Sequence, residues 1–163
     1  MNDVYDYETD IRNARKTMDG LEGTILHPSY HDLVRTCAWV ATVVLLVTAG
    51  ATGRRQNMLV VALLVFFSWQ YSAIPLRFKE KPAFDSLSNG VIVDLVYLAG
   101  YTAGGGRLDR KVFDLKGHIL GLCTAGVHAL GAVVDVDADL DVGQRTIATA
   151  FGPRIALTFA AMS

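Results

Sequence analysis

Three oxygen-bearing side chains recur at four-residue intervals near the start of this sequence: Asn2, Asp6 and Asp10. Residues four positions apart lie above one another on one face of an α-helix. Amide and carboxylate oxygens without a nearby His or Cys suit Mg²⁺, which takes one or two protein carboxylates and fills its other positions with water and phosphate oxygens. Taken alone, this column is also consistent with a solvated acidic face or with acidic residues favoured at a helix N-terminus.

A second acidic cluster, DVDADLD, covers residues 135–141 and repeats the four-residue spacing with Asp135 and Asp139. It lacks the glycine and the terminal glutamate of an EF-hand loop, and a plain polar loop is the remaining alternative. Clustered carboxylates repel one another, so they need a cation or a cationic partner. Two such clusters facing each other would hold a diphosphate between metal ions.

A basic loop lies between the two clusters and carries Arg77 and Lys79, with Tyr71 shortly before it. The two cations can neutralise phosphate oxygens, and the tyrosine hydroxyl can donate a hydrogen bond. Basic residues that merely anchor the ends of membrane helices are the alternative interpretation of this loop.

Four long apolar runs separate the polar segments, over residues 33–51, 58–75, 91–106 and 117–134. A helix needs about 20 mostly apolar residues to cross a bilayer, and three of the runs meet or approach that length. A soluble helical bundle is the alternative, but these runs are apolar around the whole helix and are rich in the small residues typical of membrane helices. Their cysteines, Cys37 and Cys123, are predicted to be buried free thiols.

The number of crossings groups the polar segments on one side of the membrane. Two crossings return the chain to the side of the first acidic stripe, so the basic loop lies there, and two more bring the second cluster to the same side. The chemistry this predicts is metal-assisted departure of pyrophosphate from a lipid diphosphate.

Two polar residues inside the apolar runs are less informative. Asp94 has three possible explanations: a functional role, placement at a helix end, or pairing with another residue inside the protein. His128 is predicted to be a core histidine with a hydrogen-bonded partner.

The motifs resemble those of one known family, the UbiA-type intramembrane prenyltransferases. NDVYDYETD resembles that family's first aspartate-rich motif, NxxxDxxxD, with Asp3 completing its ND pair, and DVDAD resembles the second, DxxxD. YSAIPLRFKEKPAFDSLSNG resembles the tyrosine-and-basic loop between them, and GQRTIATAFG is similar to the segment after the second motif. The surroundings of the motifs resemble most the lycopene elongase branch, which prenylates carotenoids.

The resemblance implies an all-α, multi-pass transmembrane helical bundle with a central cavity, and an Mg²⁺-dependent transfer from a prenyl diphosphate to a lipophilic acceptor (a carotenoid, a quinone precursor or a lipid). Mg²⁺ would be held by Asn2, Asp6, Asp10, Asp135 and Asp139, of which the four aspartates are the catalytic candidates. The substrate would be held by Tyr71, Arg77, Lys79, Asp3 and Arg145. The expected partners are these substrates and membrane lipid, and a net charge of −1 gives no pull toward nucleic acid.

Family members usually have about nine transmembrane helices, whereas this sequence accounts for about four crossings and the start of another. We therefore expect residues 1–163 to form a single, incomplete UbiA-type domain, a partial form of the fold that lacks helices at both ends. A non-catalytic membrane protein or an inactive fragment of such an enzyme is the alternative to an active prenyltransferase. A soluble diphosphate synthase with similar aspartate-rich helices is a more distant one.

Overall fold

The computed structural model describes residues 2–12, 25–109, 112 and 116–163, and in these ranges the only regular structure is helical. The eight α-helices are α1 (Asn2–Asp10), α2 (His31–Ala51), α3 (Arg55–Ser72), α4 (Phe84–Ala103), α5 (Gly117–Val134), α6 (Val136–Asp141), α7 (Ile147–Phe151) and α8 (Pro153–Met162). Short 3₁₀ turns, Pro28–Tyr30 and Phe78–Glu80, precede α2 and α4. The predicted all-α class is confirmed.

Two helical segments in the described part of the chain are long and apolar enough to cross a bilayer, Pro28–Ala51 and Gly117–Val134. Helices α3 and α4 have 18 and 20 residues, but polar side chains lower their hydropathy, so four crossings stay a prediction. Many large apolar side chains on α2 point outward, and Val47 is 66% exposed. Cys37 and Cys123 are free, as predicted, but both are exposed, so their predicted burial is wrong. Apolar runs suited to lipid need not face a protein core.

Two glycines allow α4 and α5 to approach each other closely. A Cβ atom on Gly90 would lie 2.6 Å from the Gly121 carbonyl oxygen, and one on Gly121 would lie 2.9 Å from the Gly90 oxygen. Small residues of this kind allow the backbones of membrane helices to approach and gain dispersion energy. The pair therefore fixes the position of α5, the helix that leads directly into the second acidic cluster.

We expect Gly90→Ala to lower the free energy of unfolding by about 1–3 kcal/mol, because the added methyl group overpacks a backbone contact that has no room to yield. Gly100→Ala on the same helix is the matched control, since a Cβ atom there meets nothing within 4 Å. Unfolding of both variants in detergent micelles, followed by circular dichroism, measures the difference. Equal stability of the two variants would contradict the close packing.

Polar side chains join α3 to both of its neighbours. The amide of Asn57 donates to the Ala99 carbonyl oxygen at 2.9 Å and to the Thr102 hydroxyl at 3.0 Å, both on α4. The indole N–H of Trp69 donates to the Thr42 hydroxyl on α2 at 2.9 Å. Buried polar groups that are fully paired fix the relative positions of the helices that carry them.

A compact apolar cluster supports the end of the chain. Its buried members are small or branched residues from α5, α7 and α8, namely Ala129, Ala132, Ile147, Ala148 and Ala156. Because Ala side chains keep the helices close, α7 and α8 pack tightly against the second half of α5. This packing supports the segment between α5 and α7, in which the second acidic cluster lies.

Candidate functional site

One cavity of about 410 Å³ gathers polar side chains from both ends of the sequence. Its polar and charged lining residues are Asn2, Asp6, Asp10, Tyr71, Lys79, His128, Asp135, Asp139, Gln144 and Thr146. All five predicted metal ligands are among them, as are two of the five predicted substrate-binding residues. The structure thus brings together the three polar segments that counting membrane crossings places on one side.

Helix α1 presents the first acidic motif to this cavity. Its three motif residues share one face because of their four-residue spacing. The Ser72 hydroxyl, at the end of α3, donates to the Asn2 side-chain oxygen at 2.5 Å. Near the middle of α1, the ring of Tyr7 meets the ring of His31 edge-on, with their centroids 5.1 Å apart. These contacts hold α1 against α2 and α3.

Among the described residues that line the cavity, Lys79 is the cation, and it forms an ion pair with Asp6. The lysine is only 4% exposed. Burial lowers the pKa of Lys79 to about 8, although the negative charges of Glu80 and Asp3 oppose that shift. A buried ammonium of this kind is held by its carboxylate partner, and its charge is already in place for a phosphate group.

The second acidic motif lies at the junction of α5 and α6. Asp135 precedes α6, and the Asp139 N–H donates to the Asp135 carbonyl oxygen at 2.8 Å, which places the two residues one turn apart. The Gln144 N–H donates to the Asp139 carbonyl oxygen at 2.7 Å and closes the turn after the helix. Burial, and then the charge of Asp135, raises the pKa of Asp139 to about 6. Burial and a neighbouring carboxylate both disfavour the charged form of Asp139, and a bound cation would offset both effects.

The oxygen atoms of the five predicted metal ligands are of the kind that Mg²⁺ prefers. Among the residues the structure describes, no three His, Cys, Asp or Glu side chains are grouped closely enough to form a ready-made metal site. Mg²⁺ does not need such a group, because it binds through one or two carboxylates and completes its shell with water and substrate phosphates. The five predicted ligands all offer oxygen atoms and line one cavity, and the mutually repelling carboxylates of Asp135 and Asp139 match that preference. The Mg²⁺ assignment itself stays a prediction.

Three predicted substrate-binding residues lie outside the main cavity. Asp3 is exposed and acts on Lys79 through its charge. The guanidinium of Arg77 pairs with Glu80 at 2.6 Å, and Arg77 has a left-handed backbone with φ of +43°. Arg145 lines a neighbouring cavity of about 210 Å³, together with Asp6 and Glu80. Asp6 borders both cavities, so Arg145 lies beside the site rather than in it.

His128 lines the cavity, although the sequence interpretation placed it in the protein core. The predicted hydrogen-bonded partner exists, since its Nε2 lies 3.0 Å from the Tyr71 hydroxyl, yet the side chain lines the cavity instead of filling a core. A signal was available, because His128 precedes Asp135 by seven residues, two helical turns along the same face. Asp94 proves to be internally paired, with its carboxylate 2.7 Å from His118 Nδ1.

Asp85, which the sequence interpretation did not single out, anchors the segment after the second motif. It is fully buried at the start of α4, and one carboxylate oxygen accepts the N–H of Ile147, the first residue of α7, at 3.0 Å. Its other oxygen has no hydrogen-bond partner within the described ranges. Thr146 caps the same helix through a reciprocal hydrogen-bond pair with Thr149. These contacts fix Gln144 and Thr146 at the rim of the cavity.

Comparison with known proteins connects this arrangement to a family. The chain is 38% identical over 98% of its length to a C(50) beta-cyclic carotenoids biosynthesis protein from Dietzia, of which it covers 36%. It is 35% identical over 96% of its length to a lycopene elongase/hydratase from Corynebacterium glutamicum, covering 54% of that protein. A lycopene elongase/hydratase from Haloferax volcanii is also 35% identical, over 94% of this chain and 48% of its own length.

A solved structure shares the fold of this chain. A solved UbiA homologue from Archaeoglobus fulgidus, bound to DMAPP and Mg²⁺, superposes on 99% of this chain and 55% of its own, with a TM-score of 0.73 and 22% identity. The chain spans about half the length of this homologue and of the lycopene elongases. The sequence model of the UbiA prenyltransferase family matches residues 1–163. The chain belongs to the UbiA prenyltransferase family.

Proposed function

We propose that this chain transfers a prenyl group from a prenyl diphosphate to a lipophilic acceptor within the membrane, with Mg²⁺ as cofactor. The observation that carries the proposal is the single cavity shared by both acidic motifs and Lys79. The Mg²⁺ ions would be held by Asn2, Asp6 and Asp10 from α1 and by Asp135 and Asp139 at α6. Bound there, the metal would supply charge stabilisation to the departing pyrophosphate.

The chain's own residues have distinct tasks in this proposal. Lys79 neutralises diphosphate oxygens, and its pairing with Asp6 holds the ammonium in the cavity beforehand. The same cavity is also lined by Tyr71, Val127 and His128, which belong to neither acidic motif. A prenyl cation needs a water-poor surrounding, because water would capture it before the acceptor does. Integral membrane location, which is a property of the family, favours both this surrounding and a lipophilic acceptor.

Dimethylallyl diphosphate and lycopene are the substrates we propose to test first. The donor follows from the ligand of the Archaeoglobus homologue, and the acceptor follows from the lycopene elongases among the relatives. Quinone precursors and lipids are the runner-up acceptors, since the diphosphate-binding motifs do not depend on the acceptor. The multi-pass arrangement with four crossings is part of the same proposal.

The test is a transfer assay on the 163-residue chain in lipid nanodiscs, with radiolabelled dimethylallyl diphosphate and lycopene. We expect label in the carotenoid fraction with Mg²⁺ present, and its loss with EDTA followed by recovery when excess Mg²⁺ is added. Equilibrium binding of the labelled diphosphate is measured on the same sample. A helical, membrane-inserted chain that binds no diphosphate in the presence of Mg²⁺ would contradict the proposal and favour a non-catalytic membrane protein.

A further inference from the structure

Prenyl transfer leaves a proton that the proposed metal and diphosphate ligands do not account for. When a prenyl diphosphate reacts with an acceptor A–H, the C–O bond breaks, a C–A bond forms, and pyrophosphate and one proton are released. An alkene acceptor loses that proton from the carbon beside the new cationic centre. A protein base for this proton would have to lie in the cavity, and the acidic motifs are assigned to Mg²⁺ and, in the case of Asp6, to Lys79.

His128 is the histidine among the described residues that line the cavity, and it is placed by two hydrogen bonds. Its Nε2 lies 3.0 Å from the Tyr71 hydroxyl, and its Nδ1 lies 3.4 Å from the Ser86 hydroxyl. Tyr71 also lines the cavity, whereas Ser86 is fully buried and is not among the residues that line it. The three side chains come from α3, α5 and α4, so the packing of three helices fixes their order.

One tautomer of His128 gives the three groups a direction for the proton. The partner of one imidazole nitrogen selects the tautomer at the other. With Nδ1–H donating to Ser86, the Nε2 lone pair accepts the O–H of Tyr71, a residue that lines the cavity. Asp85 precedes Ser86 and is close enough to interact electrostatically with both Tyr71 and His128. A positive charge arising on the imidazole therefore has a carboxyl group nearby.

We infer that Tyr71, His128 and Ser86 form a proton relay that takes the acceptor's proton during prenyl transfer, an inference that rests on the proposed function. The acceptor's proton passes to the Tyr71 oxygen as the Tyr71 proton passes to His128 Nε2, which leaves an imidazolium and a neutral coupled product. Ser86 is a positioning residue that holds the imidazole in the required tautomer. The proton leaves the imidazolium for water after the products depart.

His128→Gln tests the relay, because glutamine keeps a hydrogen-bonding side chain but takes up no proton near neutral pH. We expect dimethylallyl diphosphate binding with Mg²⁺ and the rate of pyrophosphate release to stay within about threefold of the unchanged chain. The deprotonated coupled product is expected to fall by about 100-fold, the usual scale of general base catalysis. Products trapped by water, either the prenyl alcohol or a hydrated coupled product, replace it.

His118→Gln is the matched control, since His118 lies on the same helix, pairs with Asp94 and lies outside the cavity. Tyr71→Phe is expected to repeat the product change of His128→Gln. If pyrophosphate release and coupled product fall in the same proportion, or if neither changes, the relay is overturned. An unchanged chain that releases no pyrophosphate with Mg²⁺ present would instead contradict the proposed function.

A spectroscopic measurement tests the relay without turnover. The sequence has four histidines, and the ¹⁵N signals of His128 are assigned by their loss in His128→Gln. We expect a protonated Nδ1 and an unprotonated Nε2 near neutral pH, and a shift of the Nε2 signal in Tyr71→Phe. The opposite tautomer, or an Nε2 signal that does not respond to Tyr71→Phe, would overturn the relay.

Discussion

Replacing Asp135 and Asp139 together with asparagine is expected to lower prenyl transfer by at least about 100-fold. Asparagine keeps the size of each side chain and removes the two charges that would hold Mg²⁺ opposite the first motif. Metal ions contribute several kcal/mol to such reactions, and each 1.36 kcal/mol corresponds to a factor of ten in rate. Transfer of labelled dimethylallyl groups to lycopene and Mg²⁺-dependent binding of the labelled diphosphate measure the loss.

Stability separates this effect from simple unfolding. The double variant is expected to unfold no more easily than the unchanged chain, because it removes two charges, one of them buried, that repel each other; burial, and then the charge of Asp135, raises the pKa of Asp139 to about 6. Asp137→Asn with Asp141→Asn is the matched control, since both residues lie on α6 and are exposed. Equal losses of transfer in the two double variants would show that the overall acidity of the segment matters, and not the two cavity carboxylates.

Lys79→Met is expected to change the binding of metal and of diphosphate in opposite directions. Without the ammonium, Asp6 no longer has to give up its ion pair with Lys79, so Mg²⁺ binding in the absence of diphosphate should strengthen by about tenfold. Diphosphate binding in the presence of Mg²⁺ should weaken by at least about tenfold, because a charge-assisted hydrogen bond contributes about 1.5–3 kcal/mol. Manganese binding, followed by electron paramagnetic resonance, and labelled diphosphate binding measure the two changes.

Lys81→Met provides the control for Lys79→Met. Lys81 carries the same charge in the same loop, but it is exposed and does not line the cavity. Its replacement is expected to leave both binding constants within about twofold, since exposed charges are screened by water and salt. A Lys79→Met variant that loses affinity for metal and diphosphate alike would indicate damage to the fold of α1 instead of the competition we describe.

Sequence patterning determined the fold class and the principal contents of the cavity. The apolar runs predicted helices, and helices are found for each of them. The four-residue spacing predicted that Asn2, Asp6 and Asp10 share a face, and that Asp135 and Asp139 stand one turn apart. Local rules suffice here because helical periodicity depends only on neighbouring residues. The count of crossings then brought distant segments together without any knowledge of side-chain packing.

The functions of individual polar residues were harder to read from the sequence. Arg77 and Lys79 are two positions apart in one basic loop, yet Lys79 enters the cavity and Arg77 pairs with Glu80. The left-handed backbone of Arg77 and the turn that follows separate the two side chains. Loop conformation of this kind depends on contacts with α4 and on burial, which the spacing of charges does not record.

The sequence alone thus determined helices, their apolar surfaces and the two acidic motifs, because these follow from composition and from a period of 3.6 residues. Tertiary structure decided which charges are paired and which side chains share the cavity. Three sets of contacts join residues far apart in the chain. They are the ion pair between Lys79 and Asp6, the hydrogen bond from the Ile147 N–H to the Asp85 carboxylate, and the hydrogen bonds that His128 shares with Tyr71 and Ser86. Such contacts exist only after the helices have packed, since packing is what removes these groups from water and leaves them to pair with one another.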